Sequence, residues 1–322
     1  MTGVIGHIVA PTIDESAALA SEAERAGATW IGFADAFWWR DVWMALTRVA
    51  AATSTIEIGP AMTNAYLRHP FHTVSALATL QELAPGRTFV GITAGGSEVT
   101  AAAGRSRADA PERVGELVAT LRTVTAGRPL DESSGRSLDV PLVDLPVLVA
   151  GRGERMLRTA GAVADRVLLW AIPDSDLDRS VDLILDGASG RDRPPELVWA
   201  PLADHDPALR TAVLHVAVYA SLNTRRPIRR RWGLDDELVE RIRSTLVAGG
   251  TGAAASLVPA AAVDDLLVRD LDPVAVAARA RSLGVGSIAV PGYGVDSVGA
   301  HLAWAAQIET ALQRERPSTG GP

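Results

Sequence analysis

The sequence predicts an α/β chain folded as a (β/α)8 TIM barrel with a helical insertion before the last strand. Two observations carry that expectation. Short apolar runs at residues 4–9, 30–34, 56–59, 89–92, 147–150, 167–170, 198–200 and 287–290 recur from one end of the chain to the other, and longer segments of helical character separate them. None of these runs alternates apolar with polar residues, so each suits a parallel strand buried on both faces, which needs a helical crossover to reach its neighbour. Eight such units in 322 residues fit a closed barrel better than an open doubly wound sheet.

The first run leads to a helix whose start is marked by Thr12 and Glu15 as a capping box; small apolar residues fill 17–26, and Gly27 stands where a left-handed C-cap belongs. The same order of strand, helix and strand predicts helices over 41–52, 71–83, 111–125 and 153–163. The Gly/Ser-containing stretch 131–140 reads as a loop or small hairpin. Residues 207–259 depart from the repeat: helical patterns at 208–221 and 235–247, split by a basic turn over 225–232, form the expected insertion. In a barrel such insertions often cap the catalytic end. One domain is therefore expected over 1–314, and the polar, Pro/Gly-rich 315–322 reads as a disordered tail.

Composition narrows the function classes. Hydrophobic residues make up 48% of the chain, enough for a large core, and the net charge is −7. The 31 basic residues, all arginine, are interleaved with 38 acidic ones rather than gathered in a stripe, which argues against a nucleic-acid partner. With no cysteine, disulfides, thiolate-held metals and thiol nucleophiles are excluded. The first residues carry no basic n-region, and no apolar run approaches the ~20 residues of a bilayer span, so a cytoplasmic protein without a membrane partner is expected. His69 and His72 are spaced i, i+3, but no carboxylate accompanies them and no metal site is expected. His7, His205, His215 and His301 are isolated and read as structural.

Four segments fall where barrel strands end, and strand C-termini form the mouth in which barrel enzymes do chemistry. Gly151-Arg152-Gly153 follows a strand and opens a helix, so its free amides suit either an anion or a plain tight turn; Met156 replaces the third glycine of a dinucleotide fingerprint. Gly95 and Gly96 let a flat ligand approach the backbone, and Glu98 beside them is either an acid/base or a solvated helix-start charge. Asp35 is either a ligand contact or the cap of the helix near Asp41, and Phe37-Trp38-Trp39 place three adjacent rings that one strand end cannot bury in one direction. Thr63 and Asn64 end the third strand, where Asn64 also satisfies a turn signal.

Three stretches carry a resemblance: 56–70 (IEIGPAMTNAYLRHP), 76–83 (ALATLQEL) with Gly86-Arg87, and 145–153 (LPVLVAGRG) leading to Met156-Leu157 and Thr159-Ala160-Gly161. In these the chain resembles the luciferase-like superfamily, particularly its deazaflavin-dependent branch typified by methylenetetrahydromethanopterin reductases, from Val4 to about residue 308. The resemblance implies coenzyme F420, or alternatively FMN, at the strand C-termini. Its phosphate is implied near Gly151, Arg152 and Gly153, and its ring against Ala61, Met62, Thr63, Asn64, Gly95 and Gly96, with a non-proline cis peptide near Ala61-Met62. The implied reaction is hydride transfer to or from a small organic substrate, with Asp35 at the cofactor, Glu98 as proton donor, and Phe37, Trp38 and Trp39 shaping the substrate pocket. That branch usually places His after the aspartate of the second strand, whereas Ala36 stands here. The alternatives are an FMN-dependent monooxygenase supplied by a separate flavin reductase, and a non-catalytic cofactor-binding barrel. A homodimer through helices 41–52 and 71–83 is also implied.

Overall fold

The computed structural model describes residues 2–6, 12–204, 207–292 and 295–314, and all their side chains except those of residues 6, 97, 98, 207, 208 and 212. The expected tail at 315–322, the continuation of the first strand to residue 9, and His7 and His205 lie outside the described residues. The chain runs β1 (Thr2–Gly6), α1 (Ile13–Arg25), β2 (Trp30–Phe33), α2 (Val42–Ala52), β3 (Glu57–Pro60), β4 (Thr63–Asn64), α3 (Pro70–Leu83), β5 (Val90–Thr93), α4 (Ser97–Ala102), α5 (Ala110–Thr125), β6 (Val147–Ala150), α6 (Glu154–Val163), β7 (Arg166–Trp170), α7 (Asp174–Gly187), β8 (Glu196–Ala200), α8 (Pro207–Asn223), α9 (Arg226–Arg231), α10 (Asp236–Ala255), α11 (Ala260–Leu266), α12 (Pro273–Ser282), β9 (Ser287–Gly292) and α13 (Val295–Arg314).

Among the described residues nine strands pair in the order β3-β2-β1-β9-β8-β7-β6-β5-β4, all parallel. A bridge from Ile58 to Thr88, just ahead of β5, brings the two ends of that order together. β3 and β4 are two halves of one stave, interrupted at the cis peptide Ala61-Met62, so the ring is the predicted eight-stave barrel with its third strand broken.

Why these residues make these elements follows from burial and capping. The staves read apolar throughout because one face lines the bore and the other meets the helices: Ile31, Ile58, Val90 and Val149 join the outer core, while Phe89, Leu148, Leu168 and Val198 fill the bore. Two glycines of neighbouring staves make room around Phe89. A Cβ on Gly32 would lie 2.9 Å from Phe89 Cζ, and one on Gly59 2.1 Å from the Phe89 carbonyl oxygen. Phe89 then meets Trp30 edge to face, with ring centroids 5.5 Å apart. The Thr12/Glu15 capping box forms as predicted, and Gly27 takes φ +88 after α1. Glu24 near the end of that helix accepts from the backbone N–H groups of Ser54, Thr55 and Ile56, fixing the entry to β3. Burial pushes its carboxyl up, but these donors outweigh it and bring the pKa down to about 2.

The insertion departs from expectation at two points. The basic segment at 225–232 is not a turn: Pro227 in the first turn starts the short helix α9, because proline's fixed φ suits a helix N-terminus. Pro259, taken from sequence as the insertion's end, is the N-cap of α11, and helical structure runs on to Leu266. The two legs of the insertion close against each other, Leu202 bridging Leu267 and the Val268 N–H donating to the Leu202 carbonyl at 2.9 Å. Its helices share their own apolar cluster, including Ala217, Ile228, Trp232 and Ile242. The segment at 131–140 forms a small turn in which Asp131 bridges antiparallel to Arg136. Among the described residues no single helix is long and apolar enough to cross a membrane.

Candidate active site

Every crossover helix runs back beside the staves, so the strand C-termini and the helix N-termini share one end of the barrel. At that end the second and third staves bring Asp35 and Thr63 together. Thr63 Oγ1 donates to Asp35 Oδ2 at 2.7 Å, and the Asp35 N–H donates to the Met62 carbonyl at 3.2 Å. The Ala61 N–H donates to the Phe33 carbonyl at 2.7 Å, which locks the break in the third stave onto β2. Burial pushes the Asp35 carboxyl above its ordinary range; the Thr63 hydrogen bond and Arg68 pull it part of the way back. The capping alternative for Asp35 fails, because Asp41 itself caps α2, its Oδ1 accepting from Trp43 N at 2.9 Å and Met44 N at 3.3 Å. Asp41 also pairs with Arg68.

Asn64 makes the turn its position predicts and leaves its amide nitrogen unused. Its Oδ1 accepts from Tyr66 N at 3.1 Å and Leu67 N at 2.9 Å, which is the turn, while its Nδ2 is buried without a hydrogen-bond partner. Gly95 packs directly over it: φ is +79, and an added Cβ would fall 3.1 Å from Asn64 Cβ. Gly96 is the N-cap of α4 and supplies no side-chain cap. Glu98 stands in the first turn of that helix, and its side chain lies outside the described residues.

The Gly151-Arg152-Gly153 turn leads from β6 to α6. Gly153 is the N-cap of α6 with φ +81 and no side-chain cap, so the first amides of α6 face outward from the strand end. Gly151 is fixed by crowding, since a Cβ there would lie 2.4 Å from Met156 Cγ. Arg152 Nη1 is buried without a hydrogen-bond partner. Burial, and secondarily the charge of Arg107, bring the Arg152 pKa down to about 10. A buried guanidinium beside a second cation and with no carboxylate bonded to it is unfavourable unless an anion is supplied.

The aromatic triplet divides. Phe37 and Trp38 are 54% and 46% exposed and stack edge to face with centroids 4.8 Å apart. Trp39 instead packs against the outer core, and its N–H donates to the Ala36 carbonyl at 2.9 Å. His69 is the N-cap of α3, its Nδ1 accepting from Phe71 N at 3.2 Å. Three residues of this end escaped the sequence reading. Arg107 and Asn223 lie in polar stretches with no motif, and Trp170, which ends β7 as expected, also packs against both the bore and the insertion core.

The family described as luciferase-like monooxygenase matches residues 2–283. The chain belongs to the luciferase-like monooxygenase family. It is 28% identical over 266 residues to the 5,10-methylenetetrahydromethanopterin reductase of Methanolobus tindarius, covering 79% of this chain and 81% of that one. Among solved structures, the coenzyme F420-dependent tetrahydromethanopterin reductase of Methanopyrus kandleri superposes with a TM-score of 0.74 at 22% identity, over 94% of this chain and 96% of that one. An F420-dependent secondary alcohol dehydrogenase, in complex with an F420–acetone adduct, superposes with a TM-score of 0.73 at 17% identity, over 96% and 98% of the two chains. These two likenesses show the luciferase-like barrel fold. The cis peptide at Ala61-Met62 falls where the resemblance in sequence placed it.

Proposed function

We propose that this chain is a coenzyme F420-dependent oxidoreductase that transfers hydride between the cofactor and a small organic substrate. The observation that carries the reading is the partnerless Arg152 beside Arg107, at the Gly151–Gly153 turn of the barrel mouth. A donor set of two guanidiniums and open helix amides fits the phosphate of a deazaflavin or flavin cofactor. The unpaired Asn64 Nδ2 is a donor for a carbonyl on a ring, and the partly exposed Met62 and Gly95 stand beside it, with Ala61 and Thr63 buried beneath. When bound, the deazaflavin supplies a ring carbon that gives or takes hydride. The chain's own part is to seat the tail at 151–153, to present Asp35 as a buried carboxyl that holds or yields a proton, and to offer the Phe37-Trp38 pair as an apolar wall for substrate. Glu98 is the second proton donor in this reading. The choice of F420 over FMN is supported by the relatives, whose names specify methylenetetrahydromethanopterin reduction and F420 dependence.

A flavin-dependent monooxygenase, with a partner reductase supplying reduced FMN, is the second reading, favoured by the description of the family as a whole. A homodimer through α2 and α3 is supported by exposed apolar side chains on those helices, Met44, Phe71 and Leu83, and sedimentation showing only monomer would remove it. A cytoplasmic location belongs to the same proposal. Titration of the purified protein with oxidised F420 and, in parallel, FMN separates the readings. A micromolar preference for F420 is the expected result; preference for FMN installs the monooxygenase, and binding of neither makes this a barrel without turnover.

A further inference from the structure

Arg107 lies between α4 and α5, yet it reaches two distant parts of the chain. Its Nη1 donates to the Gly95 carbonyl at 3.0 Å, and its Nη2 donates to Asn223 Oδ1 at 2.8 Å. Asn223 is the last residue of α8, and its own amide is pinned by donating from Nδ2 to the Tyr219 carbonyl at 2.8 Å. With Oδ1 so oriented, Asn223 holds the guanidinium from the insertion side while Gly95 holds it from the β5 side. A long arginine fixed at both ends has already given up its conformational freedom. β5 and β6 are neighbours with Thr93 in register with Ala150, so the Gly95 carbonyl that holds Arg107 and the Gly151–Gly153 turn follow adjacent strand ends. In that turn the buried Nη1 of Arg152 has no partner, and the charge of Arg107 lowers the Arg152 pKa. Two guanidiniums placed this way describe an anion seat of which only half, the Gly151–Gly153 turn, is visible as a motif.

We infer that Arg107 is the second guanidinium of the seat for the cofactor's phosphate, and that Asn223 is a positioning residue through which the insertion sets affinity for that charge. The inference rests on the reading above that the barrel mouth takes a cofactor with an anionic tail. It adds that the insertion belongs to the cofactor site through one hydrogen bond. Occupancy of the seat and the hold of Arg107 on Asn223 and Gly95 are then coupled, each favouring the other.

The test is equilibrium fluorescence titration of the full chain with four probes: F420, its phosphate-free deazaflavin riboside core, FMN and riboflavin. The readout is the ratio of affinities, phosphate-bearing over phosphate-free, for each ring type. Arg107→Met is expected to lower that ratio about tenfold, the scale of one charge-assisted contact, with the phosphate-free affinities unchanged. Asn223→Asp is the sharper variant, and it stands in if Arg107→Met does not fold. It sets a carboxylate against Arg107 and so offsets its charge, at the cost of the bond to the Tyr219 carbonyl, and the ratio is expected to fall. A brace with no part in anion binding predicts an unchanged ratio in both variants, or parallel losses for both members of each probe pair, and either result overturns the inference. If the ratio collapses for the flavin pair while neither deazaflavin binds, the inference stands and the F420 reading falls. If the deazaflavins bind preferentially and the ratio ignores both variants, the F420 reading stands and the inference falls. Binding of none of the four probes by the unaltered chain removes both.

Discussion

The two ends of the barrel treat charge in opposite ways. At the bottom, where the staves begin, Arg166 spans to Glu57 at 2.7 Å and approaches Glu196 at 3.8 Å, while Ser287 donates to the same Glu196. The Arg166 side chain is only 12% exposed, and every charge of the cluster has an opposite charge or a donor in reach. At the top, Arg152 keeps a buried Nη1 without a partner, Asn64 keeps an unused donor, and Asp35 has a single hydroxyl to support its carboxylate. The two ends share the same staves: Arg166 pairs in register with Leu148, two residues before Ala150 and the Gly151 turn. Neither propensity nor packing accounts for the difference. A closed network at one end secures the fold, and the open one at the other is the deficit that the proposed cofactor would fill.

The largest expected effect comes from breaking the closed end. Arg166→Met leaves Glu57 and Glu196 half-buried and uncompensated, and urea denaturation is expected to show a loss of about 3 kcal/mol, with cofactor affinity unchanged. The same substitution at the open end has the opposite sign on stability. Arg152→Met removes a desolvated, partnerless charge, so the unliganded protein is expected to be as stable as the parent or about 1 kcal/mol more so, while affinity for a phosphate-bearing cofactor falls tenfold or more. A stability loss at Arg152 comparable to that at Arg166 would erase the contrast between the ends.

The smallest effect, and the one that depends on pH, belongs to Asp35. Its folded-state pKa is raised by burial, so the folded chain retains a proton that the unfolded chain has already released, and stability falls as pH rises from the ordinary aspartate range through the raised value. Asp35→Asn cannot ionise. It is therefore expected to be more stable than the parent above that interval, with the gap closing as pH falls below the ordinary aspartate range. Denaturation curves taken across mildly acidic to neutral pH check the sign; a gap that is constant with pH would show that burial does not disfavour the Asp35 carboxylate.

Local features were legible in the sequence and distant ones were not. A buried parallel strand announces itself as an unbroken apolar run, and the Thr12/Glu15 box and Gly27 are patterns within a few residues of each other, so the staves and α1 could be read directly. The apolar pattern alone does not show the break between β3 and β4, because Pro60, Ala61 and Met62 continue the apolar run of Ile58 and Gly59; the cis peptide there was implied by the family resemblance. Pro259 misled because proline both ends and starts helices, and only its position at the N-cap of α11 decides which. At the mouth, Gly151–Gly153 was visible as a turn, but the lack of a partner for Arg152 is a property of what surrounds it in space. The bond from Arg107 to Asn223 joins residues 116 apart in sequence, each alone in a polar stretch, and no window along the chain contains both.

The insertion leaves the barrel and returns to it at one point, where Leu202 meets Leu267, and between those residues it carries an apolar core of its own. A segment whose ends already touch can lengthen, shorten or be exchanged without altering the register of the staves. Among the described residues, its polar ties to the barrel include Arg225 to Asp176, Asp265 and Arg231 to Ser175, and Asn223 to Arg107, and Trp170 packs against its core. A lineage built on this plan can acquire new substrates by trading one contiguous stretch of gene, and Asn223 is the residue such a trade must either keep or replace in kind.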